Sequence, residues 1–178
     1  MPAVCLGVSF FVASECIFFA ALFAGWFTAR SRSPQWPPIG IHVDPTLGAI
    51  VSALLILSSV VVYFAGAAIR RGDVGLMKRM LWLAVILAAV ALAGQSLDLS
   101  DLTFSIHTDG FGTIYWMTSI IDSVHVAGAM IFAFVILTRA RMKLVLPSNH
   151  DLLKAGTIFW HFVVGVSIFT FLVLEVVT

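Results

Sequence analysis

The chain has 178 residues, 61% hydrophobic and 11% charged, with a formal net charge of +1 and a mean hydropathy of +1.07. So few charges cannot clothe a water-soluble fold of this size, and the scattered basic residues leave no electrostatic footprint for nucleic acid. The composition therefore predicts an all-α integral membrane protein, a single transmembrane domain over residues 1–178 with no room for a second, soluble one.

Five apolar segments are long enough to cross about 30 Å of hydrocarbon as helices. They fall at 4–28, 46–69, 79–97, 112–138 and 152–176. The first lacks a basic flank, carries Glu15 at its centre and runs too long for a signal sequence, so Met1 is read as the mature start. Its two cysteines, Cys5 and Cys16, stand about 16 Å apart along a helix, beyond disulfide reach, and are read as small buried hydrophobes. Trp36-Pro37-Pro38 cannot continue a helix, because proline lacks the N–H and restricts the residue before it. An extended, ordered connection is expected there.

The third segment reads LWLAVILAAVALAG and has no ionisable residue between Arg79 and Asp98, which suits lipid or plain packing. The loop after it, with Asp98, Asp101 and Asp109, is acidic. The fourth segment holds Asp122 and His125 at i, i+3 on one helical face, and the fifth holds His161. Small-xxx-small spacings at Ala20 and Ala24, Ala21 and Gly25, and Ala129 and Ala133 support a bundle. Trp26, Trp36, Tyr115 and Trp116 cluster near one set of helix ends, as an interfacial aromatic belt would.

Arg70, Arg71, Lys78, Arg79, Arg139, Arg141, Lys143 and Lys154 all fall at the second and fourth connections, which share one side; the other side has only Arg30 and Arg32. The positive-inside rule then predicts a cytoplasmic N-terminus and an outer C-terminus. Arg70, Arg71 and Arg79 lie at headgroup level, where they either contact anionic lipid phosphates or serve only as topogenic charge.

Glu15, Asp122, His125 and His161 are the residues that need a reason, since an ionisable group in mid-membrane costs on the order of 3 kcal/mol. All four come to similar depth, roughly 15 to 20 Å in from their helix ends. One reading is an intramembrane polar cluster whose members pair and fix helix register, with Glu15 or Asp122 protonated because burial opposes charge. A proton path is the sharper alternative, although no continuous series of acids and bases runs from face to face. Metal is not expected: bundle di-metal sites use paired Glu-x-x-His motifs plus two further Glu, and here a single Asp-x-x-His stands alone. His125 and His161 on separate helices are too weak a signal for heme.

SECIFFAALFAGWF at 14–27, QWPPIGI at 35–41, LLILSS at 54–59, SVHVAG at 123–128, PSNH at 147–150 and FWHFV at 159–163 resemble, in order, landmarks of the heme-copper oxidase subunit III family. Longer members of that family carry an additional helix pair across a lipid-filled cleft, so the resemblance is to a short, five-helix bacterial form. Glu15 matches the family's carbodiimide-reactive intramembrane glutamate, and His125 the second histidine of its His-x-x-His-Val motif, with Asp122 in place of the first. His161 matches the histidine of the last helix, while Val164 stands where an acid is usual.

The resemblance implies an accessory subunit with no catalytic residue, metal or heme of its own, in the inner (plasma) membrane of a bacterium. It would pack on the catalytic heme-copper subunit I and on subunit II, hold phospholipid, favour oxygen access and proton uptake, and protect the catalytic centre. The hemes and copper would sit in those partners, in a proton-translocating complex of aerobic electron transport that reduces O2 to water and can join a respiratory supercomplex. A quinol oxidase subunit or a homologue accompanying nitric oxide reductase would read alike. A small proton-coupled membrane transporter is the alternative from another class. The partner surface is expected on the first two or the last two helices, because polar groups should turn inward or toward protein.

Overall fold

The computed structural model describes residues 2–41 and 43–177. It contains five helices, α1 (Ala3–Arg32), α2 (Pro45–Arg70), α3 (Val74–Asp101), α4 (Gly110–Arg141) and α5 (Asp151–Phe171), the last running into a π-helical turn, Leu172–Val176. No strand is present among the described residues, and all five helices are long and apolar enough to span a membrane.

Most helices overrun the apolar segments read from the sequence, and their caps explain much of this. Asp44, Asp73 and Asp109 each stand at the N-cap of α2, α3 and α4, accepting the backbone N–H of Thr46 at 2.9 Å, Leu76 at 2.7 Å and Gly112 at 2.8 Å. These bonds satisfy donors that a helix start leaves orphaned. The largest difference is in α3, which starts five residues before the expected 79 and ends at Asp101. Asp98 and Asp101 therefore ride on its final turns and are not loop residues, as the sequence reading had them. At about 1.5 Å per residue α3 exceeds the hydrocarbon thickness, so its ends reach the headgroup layer.

Between α2 and α3 the chain reverses within three residues. Gly72 takes a left-handed conformation (φ 85°), which lets the N–H of Asp73 return to the carbonyl of Ala68 at 3.0 Å. The hairpin packs along its length through small residues, Ala65 and Ala68 on α2 and Ala84, Ala88 and Ala91 on α3, all buried. The opposite face of α3 exposes Leu83, Ile86, Val90 and Leu97, as its composition suggested. Helix α5 touches α1, α2 and α4, whereas α1 rests chiefly on α4 and α5. Ala129 and Ala133 are buried in the core, but Ala20, Ala21, Ala24 and Gly25 lie on the exposed face of α1 and make no close helix approach.

A second core of aromatic rings closes one end of the bundle. Trp26 is fully buried, with ring centroids 4.9 Å from Trp36 and 5.2 Å from Phe111, and Tyr115 stacks on Phe111 at 5.9 Å. The expected belt is thus an internal cluster. Trp36, Ile41 and Val43 of the first connection and Leu102 and Phe104 of the third pack against these rings and bury them. The first connection contains a cis Trp36–Pro37 peptide, and Arg30 Nη1 donates to the Val177 carbonyl at 2.6 Å, tying α1 to the end of α5. Of the two free cysteines Cys5 is buried, and Cys16 is exposed on the outer face of α1, contrary to the buried reading.

Candidate functional site

Three separate polar contacts join helices distant in sequence, two within the bundle and the third, at His161, on an exposed face. In the first, Glu15 on α1 meets His125 on α4, Oε2 to Nε2 at 3.1 Å, with both side chains mostly buried (18% and 15% exposed). The other ring nitrogen, Nδ1, lies 2.8 Å from the Ile121 carbonyl oxygen. A carbonyl can only accept, so Nδ1 carries a hydrogen. One further proton must then lie between Nε2 and Oε2, on the acid or on the imidazole. In either form the pair is neutral overall, which is how a low-dielectric site tolerates two ionisable groups. The Phe19 ring stands edge-on to the imidazole at 5.0 Å. An open groove of about 510 Å³, lined by Ser14, Glu15, Phe18, Ile121, Val124 and His125, leads to the pair from the bundle surface.

Asp122, one turn before His125, reaches toward α3 and α5, whereas His125 reaches toward α1. It is 2% exposed and accepts from Ser167 Oγ of α5 at 2.7 Å and from Gln95 Nε2 of α3 at 3.3 Å. Three helices are thereby held in register by one carboxyl group. His161 is found elsewhere again: its Nδ1 is 2.5 Å from Ser59 Oγ of α2, beside the bond from Trp160 Nε1 to Ser58 Oγ at 3.1 Å. The consecutive pairs Ser58-Ser59 and Trp160-His161 thus lock α2 to α5. His161 also lines an apolar groove of about 610 Å³ between α1 and α5, with Cys16, Phe19, Phe23, Phe162 and Phe169.

The four residues taken from the sequence as one cluster therefore divide among three contacts. Successive helix positions rotate by about 100°, so sharing a depth does not mean sharing a face. Sequence reasoning passed over Gln95, Ser167 and Glu175. Glu175 carried a readable signal, an acid inside the apolar run LVLEVV, whereas Gln95 and Ser167 are polar residues of ordinary kind in a membrane helix. Among the described residues no group of three or more His, Cys, Asp or Glu side chains is placed to hold a metal ion.

Arg70, Arg71 and Arg79 are exposed at the end where α2 finishes and α3 begins. Arg70 lines a groove of about 170 Å³ between α2 and α5, together with Tyr63, Gly66, His150 and Lys154. Lys154 is paired with Asp151 at 3.0 Å.

A model of the family described as cytochrome c oxidase subunit III matches residues 1–177. The chain is similar to cytochrome c oxidase subunit 3 of Thermostichus vulcanus, 30% identical over 174 residues that cover 97% of this chain and 87% of that one. It is similar also to the probable cytochrome c oxidase subunit 3 of Nocardia farcinica, 29% identical over 164 residues, 90% of this chain and 81% of the other. Cytochrome c oxidase subunit 3 of Corynebacterium diphtheriae is 30% identical over 167 residues, with the same coverage of 90% and 81%.

Proposed function

This chain belongs to the cytochrome c oxidase subunit III family, and we propose that it acts as the accessory, non-redox subunit of a respiratory heme-copper oxidase. In this reading it packs on subunits I and II, which hold the hemes and copper, in the plasma membrane of a bacterium and within a larger respiratory assembly. The whole chain is one transmembrane domain. Its N-terminus lies in the cytoplasm, since Arg70, Arg71, Lys78, Arg79, Arg139, Arg141, Lys143 and Lys154 belong to one end of the bundle and only Arg30 and Arg32 to the other.

The observation that carries the reading is the family match over residues 1–177, and one feature of the fold supports it. Helix α1 buries only Cys5, Phe19, Phe23 and Trp26 among its thirty residues, while Phe10 and Ile17 stand 69% and 73% exposed. A spanning helix so little covered by its own bundle offers a ready face for a partner subunit. The polar contacts described above act here as register pins that keep that face in shape. A proton-coupled transporter would need a continuous file of exchangeable groups, and no hydrogen bond links the three contacts to one another among the described residues. At the basic end, Arg70, with Arg71 and Arg79 nearby, is suited to anionic phospholipid headgroups.

Crosslinking from single cysteines introduced along each helix of the native complex tests the assignment. Dominant crosslinks to the catalytic subunit are expected from α1, α2, α4 or α5. Dominant crosslinks from the middle of α3, at Ile86 or Val90, would refute it.

A further inference from the structure

Between α2, α3, α4 and α5 lies a small polar chamber unconnected with the Glu15–His125 pair. It is lined by Ser52, Gln95, Asp98, Asp122, Ser167 and Glu175, with Gly48 at its mouth. Three acids around a void do not make a site, but two further features do not depend on their charge. The hydroxyl of Ser52, a residue only 8% exposed, makes no hydrogen bond among the described residues. One carboxyl oxygen of Glu175, Oε2, is likewise buried without a partner. A buried carboxyl oxygen left unsatisfied is costly, and natural structures avoid that cost with ordered water, which the unbonded Ser52 hydroxyl on the chamber wall can also bind.

The dimensions agree. The chamber offers about 30 Å³ to water-sized spheres, against the roughly 10–15 Å³ that a single water needs. Its groups are graded in depth. Gly48 is in the first turn of α2, Asp98 in the last turn of α3 and Glu175 in the closing π turn of α5, all at the end of the bundle opposite the basic one. Ser52 lies one turn deeper, and Asp122 is about 18 Å along α4. Both Asp122 oxygens already accept one hydrogen bond, from Ser167 and from Gln95, and each retains a lone pair.

We propose that this chamber is a hydrated inlet: one or two bound waters join Ser52 and Glu175 to Asp122, so that a carboxyl group deep in the bundle exchanges protons with the aqueous phase on the Glu175 side. The inlet is blind. His125, on the same helix, is engaged with Ile121 and Glu15 and offers Asp122 no hydrogen bond. The ionisable groups around the water are Asp122 of α4, Asp98 of α3 and Glu175 of α5, with Asp44 at the start of α2, Asp101 at the end of α3, and Tyr115 and His125 of α4 next to them. No basic side chain lines the chamber. The Ser167 hydroxyl and the Gln95 amide spend their hydrogens on Asp122 and the Ser119 carbonyl, so the Ser52 hydroxyl is the donor left for the water.

Infrared difference spectra of the intact complex, wild type minus Asp122→Asn, isolate the Asp122 carboxyl once the sample is acidified until its C=O band is maximal. On transfer to D2O that band is expected to shift without delay in the wild type and in Ser52→Ala, which removes the hydroxyl and leaves the space. In Ser52→Leu, which fills the space, the shift is expected to slow by about an order of magnitude. Equal rates in wild type and Ser52→Leu overturn the proposal, as does slow exchange in the wild type. If Ser52→Leu fails to assemble, a map of the wild-type complex decides: water density bridging Ser52 and Glu175 supports the inlet, and an empty chamber or one filled by an acyl chain overturns it.

Discussion

The carboxylate of Glu175 rests against the α-carbon of Gly48, in the space a β-carbon would fill. The π turn at the end of α5 swings the acid inward over the start of α2, and only glycine at 48 leaves room for it. The obstructing atoms are the tip of a flexible side chain, so Gly48→Ala is expected to push Glu175 aside at a cost of about 1 kcal/mol or less. Gly112 makes the contrast. A β-carbon there would stand 2.5 Å from the backbone oxygen of Ser105, which cannot swing away. Gly112→Ala should cost about 2–3 kcal/mol. Thermal dissociation of the purified complex measures both, and equal losses would contradict the packing described.

Glu15 and His125 share one proton, so an amide at position 15 can still donate to Nε2 of a neutral imidazole. Glu15→Gln is expected to assemble normally. Glu15→Leu, which leaves the ring nitrogen unpaired, should lower stability by about 1–3 kcal/mol. A double-mutant cycle with His125→Leu should recover part of that loss, because removing both partners leaves nothing unsatisfied. Failure of Glu15→Gln to assemble would mean that a charged carboxylate is required.

At Asp122 the carboxyl group holds two donors from two other helices. Asp122→Ala strands the Ser167 hydroxyl and the Gln95 amide, at about 1–3 kcal/mol for each. Asp122→Asn retains one acceptor oxygen and should lose less. Urea or thermal titrations of the two variants in the same lipid would separate them; a smaller loss in Ala than in Asn would argue against the hydrogen bonds as drawn.

Arg70 shares its groove with His150 and Lys154 at the basic end. Arg70→Ala is expected to reduce the anionic phospholipid that co-purifies with the complex, as measured by native mass spectrometry, while Arg30→Ala at the other end leaves it unchanged. Equal retention in the two variants would reduce Arg70 to a topogenic charge.

The all-helical architecture was legible because apolar run length is itself the signal, and a run that must satisfy its backbone in lipid has helix as its ready solution. The helix ends were less so: Asp98 and Asp101 look like loop residues beside an apolar run, yet α3 continues through them into the headgroup layer. Glu15, Asp122, His125 and His161 stood out by cost alone. Their partners on other helices did not, because Ser59, Ser167 and Gln95 are chosen by helix rotation and packing, which a linear spacing does not encode. The same holds for Trp26 and Trp36, whose position near a helix end suited a belt until the connecting segments folded over them.

The most direct test of the accessory role is purification of the tagged chain from its native membrane in mild detergent, with heme spectrum, copper content and subunit stoichiometry recorded together. The expected result is one copy of this chain for each catalytic subunit, with all heme and copper remaining on the partner subunits when this chain is stripped away. Recovery of the chain as a homo-oligomer without heme, or with heme or metal near one per chain after separation, would contradict it.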